Sequence, residues 1–197
     1  MSIALILTLL RILLGPIFVV FYLYHGQLGF TLFSLPYVLL CLTVLSEVSD
    51  VFDGLLARRY NKVTDLGKLL DPMADSIFRL SVFLAFTQGV IQLPLLLVCI
   101  FFYRDLVIST LRALCGLRGF ALAARLSGKI KAVVQAVIIF FILVMLIPYS
   151  LGYLELSLLR KLSVYSVSIG VIYTLYSGCE YILANRSYIQ KALGLKR

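Results

Sequence analysis

Long apolar runs alternate along this chain with short polar stretches, and the runs are too long for strands. They predict six helices, at about 4–24, 33–59, 67–87, 93–115, 128–148 and 158–184, each reaching the roughly 20 residues a helix needs to cross bilayer hydrocarbon. The second is apolar at first and charged from Glu47 onward. Thr87, Gln88 and Gly89, followed by Gln92 and Pro94, break the third from the fourth, and the fifth is expected to stop at Pro148 with Gly152 beyond. Sheets are excluded, because open strands leave backbone groups unpaired in lipid. The pattern therefore predicts an all-α, integral-membrane fold of six transmembrane helices, one catalytic domain over 1–197. No repeat, low-complexity tract or soluble linker interrupts it.

Composition agrees. The chain is 62% hydrophobic and 14% charged, with a mean hydropathy of +1.05, too few polar residues to cover a soluble domain of 197 residues. The net charge of +9 comes from 18 Lys+Arg against 9 Asp+Glu. The basic residues flank apolar spans and form no soluble basic module, which excludes nucleic acid as a partner. Arg58, Arg59, Lys62 and Lys68 fill one loop, and Arg112, Arg118, Arg125, Lys129 and Lys131 surround another. Arg186, Lys191, Lys196 and Arg197 fill the tail. The alternate loops are poor in charge, with Arg160 and Lys161 the exception. This asymmetry puts both termini in the cytoplasm. The stretch Ile3 to Leu23 lacks a basic n-region and a small-residue cleavage site and contains Arg11, so it reads as a retained first span. Cys41, Cys99, Cys115 and Cys179 stand singly in or beside apolar runs, as packed side chains and not disulfides or zinc ligands.

Most of the nine acids fall between Glu47 and Asp75. Asp50 and Asp53 share one helix face with Gly54 and Ala57; Gly67, Asp71 and Asp75 recur every four residues along another. The polar stretch Arg58 to Leu66 lets the two helices turn back, so the four carboxylates can meet at their cytoplasmic ends. Four like charges at a membrane edge repel and are costly to desolvate. With oxygen donors alone, the natural counter-ion is a hard divalent cation, Mg2+ or Mn2+. Four carboxylates suit two ions, which can clamp a phosphoryl group. Gly54 and Gly67 leave room for a ligand near the backbone. Asp65 is read instead as a loop residue paired with a neighbouring cation.

A second constellation is basic. Arg104 and Arg112 fall on one face of the fourth helix, and Lys129 and Lys131 open the fifth. Asp105, as the immediate neighbour of Arg104, is expected to point to a different face. A guanidinium fork suits phosphate, and lysine adds a point charge. Arg118 and Arg125 read as interfacial anchors.

The run Asp50-x-x-Asp53-Gly54-x-x-Ala57-Arg58, eight residues, then Gly67-x-x-x-Asp71-x-x-x-Asp75 resembles the complete signature of the CDP-alcohol phosphotransferase family. The resemblance implies that Asp50, Asp53, Asp71 and Asp75 ligate metal and that Asp75 is also the general base on the acceptor hydroxyl. It implies that Gly54, Ala57, Arg58 and Gly67 line the CDP site, that CMP leaves, and that the protein forms a homodimer. Within the family the chain is most similar to the subfamily whose acceptor is glycerol 3-phosphate, through Thr8-x-x-Arg11, Ala57-Arg58-Arg59-Tyr60-Asn61-Lys62-Val63-Thr64, Asp71-Pro72-x-Ala74-Asp75, Arg104-Asp105-x-x-Ile108-Ser109-x-x-Arg112 and Gly128-Lys129-x-Lys131. It departs from the usual subfamily pattern at Ser2, Ala4, Leu5 and Ser76. The expected substrates are CDP-diacylglycerol and a small phosphorylated alcohol, with Arg104, Arg112, Lys129 and Lys131 as candidates for the acceptor phosphate. Inositol phosphate, inositol, serine and phosphatidylglycerol are the alternative acceptors. A divalent-cation transporter is the rival from another class; acids toward one face and the lack of a repeat weigh against it.

Overall fold

The computed structural model describes residues 3–59, 65–117 and 125–192. Its helices are α1 (Ile3–Tyr24), α2 (Leu35–Arg59), α3 (Asp65–Ala85), α4 (Leu95–Leu117), α5 (Leu126–Ser150), α6 (Leu156–Ala184) and α7 (Arg186–Ala192), and no strand occurs among the described residues. The six expected helices are all present, with ends displaced by a residue or two. Asp65, expected in a loop, opens α3. Pro148, expected to stop the fifth helix, lies in its last turn. A proline there breaks little, because its carbonyl accepts from the amides of Tyr153 and Leu154 at 2.9 and 3.2 Å, and the chain leaves the helix at Gly152 with φ of +78°.

α1 packs chiefly on α3 and α2, α5 on α6, and α4 on α6, while α2 also rests on α5. The α1–α3 seam is aromatic: Phe18 meets Phe78 and Phe86 edge-on, with ring centres 6.3 and 5.9 Å apart, and Tyr22 meets Phe86 at 5.5 Å. Gly15 makes the close approach possible, since a Cβ there would stand 2.9 Å from Ser81 Oγ. At the far end Tyr22 Oη donates to the Gln88 carbonyl and accepts from the Ile91 amide, both at 3.1 Å. Arg160 Nε donates to the Val90 carbonyl at 2.9 Å. That bond accounts for a cation beside a loop otherwise free of charge.

By length and composition α5 and α6 are long and apolar enough to cross a membrane, and Thr8–Tyr24 is a shorter apolar stretch. The remaining long helices carry charges that break their apolarity: Glu47, Asp50 and Asp53 on α2, Asp71, Asp75 and Arg79 on α3, Arg104, Asp105 and Arg112 on α4. The outward faces stay apolar all the same, with Phe52 of α2 54% and Leu96 of α4 73% exposed. Inside the bundle, beside a large apolar core, Arg11, Arg79, Asp105 and Lys131 are buried. A helical bundle with apolar groups outside and ions inside suits a hydrocarbon surround. The short α7 was too brief and polar to predict; its Ile189 packs on Cys115 of α4.

Candidate active site

Asp50 of α2 and Asp75 of α3 meet at a third helix. Arg11 Nη1 of α1 donates to Asp75 Oδ1 at 2.6 Å and lies 3.2 Å from Asp50 Oδ1. The Arg11 side chain is 1% exposed, whereas that of Asp50 is 41% exposed. The acidic faces of α2 and α3 are expected to meet; the side chains of Asp53 and Asp71 lie outside the described part, and at Asp50 and Asp75 the link runs through α1, which packs along both helices. A guanidinium carries charge that two mutually repelling carboxylates need, so the acids converge on α1.

A further pair extends this cluster. Arg79, one turn beyond Asp75, is buried, with Nη2 3.9 Å from Asp75 Oδ2 and Nε 3.7 Å from Glu47 Oε1. Sequence reasoning missed both partners as site residues. The signal was available, since Arg79 stands four residues after Asp75 and Glu47 three before Asp50, each on the same helix face as its acid.

Asp53, Gly54, Ala57 and Arg58 belong to α2, and Gly67 and Asp71 to α3, but their side chains lie outside the described part of the structure. Among the described residues no group of three or more His, Cys, Asp or Glu side chains could hold a metal ion. What is described fits a hard cation in kind: the donors are carboxylate oxygens, delivered from two helices to one point, with no thiolate or imidazole beside them.

The basic constellation is arranged differently from expectation. Arg104 Nη1 donates to Asp105 Oδ1 at 3.0 Å, although the two are sequence neighbours. Neighbouring residues start from different faces of a helix, but an arginine side chain is long enough for its guanidinium to reach the carboxylate beside it. Arg104 Nη2 donates to Ser177 Oγ at 3.0 Å, and its stem passes over Gly178, where a Cβ would stand 3.2 Å from Arg104 Cγ. Lys131 Nζ lies 2.6 Å from both oxygens of Asp105. Lys131 is thus already neutralised by an internal acid and is a weaker candidate for an external phosphate.

Arg112 sits over the Tyr181 ring, 5.9 Å from its centre. Lys129 is exposed at the start of α5. Arg118 lies outside the described residues. Arg125, expected as an anchor at the membrane surface, pairs through Nε with Glu180 Oε1 at 2.7 Å, and Ser127 Oγ donates to the other oxygen of the same carboxylate. The four cysteines are free, with Cys115 buried and Cys41 and Cys179 exposed to the surround.

Residues 1–176 match the CDP-alcohol phosphatidyltransferase family. The chain belongs to this family. It is a transferase accordingly, and the residues that meet at Arg11 are two of the signature acids. A CDP-diacylglycerol–glycerol-3-phosphate 3-phosphatidyltransferase of Bacillus subtilis (strain 168) is 30% identical over 185 residues, covering 91% of this chain and 92% of that protein. One of the same name from Rickettsia typhi is 28% identical over 186 residues, covering 92% and 96%.

Proposed function

We propose that this chain transfers the phosphatidyl group of CDP-diacylglycerol to glycerol 3-phosphate, releasing CMP and forming phosphatidylglycerophosphate. The observation that carries the reading is the delivery of Asp50 and Asp75, from separate helices, to a single buried guanidinium. Family membership supplies the donor class, and the relatives' names supply the acceptor.

In this reading Asp75 takes the proton of the acceptor hydroxyl. Oδ1 is held by Arg11, which leaves Oδ2 to receive it. The freed oxygen attacks the lipid-linked phosphorus, the bond from that phosphorus to the CMP oxygen breaks, and CMP departs with its electron pair. Asp50, Asp53, Asp71 and Asp75 would hold Mg2+ or Mn2+, two ions in all, which supply charge neutralisation for the pyrophosphate. Gly54, Ala57, Arg58 and Gly67 would line the CDP site. Arg104, Arg112 and Lys129 would receive the acceptor phosphate, with Asp105 fixing Arg104. The diacyl tails enter from the bilayer between helices. Six spans, cytoplasmic termini, a cytoplasmic active site and a homodimer complete the reading. Alternation of charged and uncharged loops supports that orientation.

The test is CMP release from CDP-diacylglycerol by the purified chain with Mg2+, scored across glycerol 3-phosphate, inositol phosphate, inositol, serine and phosphatidylglycerol. Glycerol 3-phosphate is expected to give the highest turnover. Higher turnover with another alcohol reassigns the acceptor, and no CMP release with any of them overturns the reading.

A further inference from the structure

Arg11 stands in an unusual place. Its side chain is 1% exposed on the first helix, and one nitrogen, Nη1, serves carboxylates from two other helices at 2.6 and 3.2 Å. A buried guanidinium needs anions, and two facing carboxylates need a cation between them. The nearby Arg79 reaches Asp75 at 3.9 Å but also has Glu47 at 3.7 Å as a counter-charge from outside the signature. Arg11 instead leans on two signature acids, the ones expected to hold a divalent ion.

We propose that Arg11 is a built-in counter-ion of the metal site: it holds Asp50 and Asp75 together while no divalent ion is bound, and it competes with that ion when one arrives. The inference rests on the metal reading above. The physical reasoning is linkage. Whatever stabilises the metal-free arrangement of two carboxylates lowers their net affinity for a metal. A positive charge within hydrogen-bond distance of a ligand oxygen also repels an incoming cation directly. The arrangement keeps α1, α2 and α3 assembled with the site empty, and it leaves the bound ion more readily exchangeable.

The test uses the full chain purified in detergent, with Mn2+ binding followed by electron paramagnetic resonance and thermal midpoints taken in EDTA and in Mg2+. Arg11→Gln is expected to bind Mn2+ about tenfold more tightly or better. It is expected to melt lower than the parent in EDTA and to gain more from Mg2+ than the parent does. Arg11→Lys keeps the charge and is expected to stay near the parent in both measures. An Arg11→Gln variant with unchanged or weaker Mn2+ affinity overturns the inference. So does one whose melting point falls equally with and without metal, as loss of a merely structural contact would give. If Arg11→Gln alone does not accumulate, the double variant Arg11→Gln, Asp50→Asn is expected to, since one of the repelling charges is gone; its absence also overturns the inference. A parent protein that binds no Mn2+ sinks the metal reading itself, whereas a parent that binds beside an indifferent variant sinks this inference alone.

Discussion

The Lys131 ammonium of α5 lies 2.6 Å from both carboxylate oxygens of Asp105 on α4, and both side chains are buried. Asp105 also accepts from Arg104, so one carboxylate answers two cations in the bundle interior. Removing it leaves both without an anion. Asp105→Asn is expected to destabilise the protein by about 3–5 kcal/mol, read as a lower thermal midpoint in detergent. Replacing Lys131 by Met in the same chain is expected to recover part of that loss. A double variant no more stable than the single one would mean the pair is not coupled.

Asp75→Asn keeps the shape of the side chain and most of its contact with Arg11 while removing the base. Turnover is expected to fall by about 10²–10⁴-fold with the thermal midpoint little changed, because Asp50 remains as an anion for Arg11, whereas Arg104 and Lys131 share Asp105. CMP release at the parental rate would show that another group takes the acceptor proton.

Chelation makes a separate prediction. EDTA is expected to abolish CMP release, and Mg2+ or Mn2+ to restore it, because the acid-lined centre is built from oxygen donors. Full activity in EDTA after exhaustive dialysis would argue that the arginines alone neutralise the reacting phosphates.

At the opposite end of the bundle, Tyr22→Phe removes a hydroxyl that both donates to Gln88 and accepts from Ile91. Leaving those backbone groups unpaired costs about 1–3 kcal/mol. Stability is expected to fall by that order while the KM for either substrate stays put, since the contact lies at the other end of α1 from Arg11. A change in KM without a change in melting would contradict this.

Helix number and limits were legible in the sequence because apolar runs of membrane length leave few alternatives. Asp50 and Asp75 were legible because their spacing on two helices has no ready structural explanation. The role of α1 was not. Arg11 could be seen as a charge inside a span, but nothing in its spacing says which helix it faces, and the α1–α3 seam is set by Gly15 and the aromatic residues around Phe18. The partnership of Arg104 with Asp105 was not legible for a different reason. Helical periodicity locates Cβ atoms, and an arginine stem is long enough to defeat it. The Glu180 clamp on Arg125 and Ser127 joins residues more than fifty positions apart, which no local pattern reports.

Arg11 belongs to a helix that carries none of the signature acids, yet it is the group on which Asp50 and Asp75 converge. A change on that face of α1 is therefore felt by α2 and α3 at once, so the first helix couples the two halves of the signature without contributing a carboxylate to either.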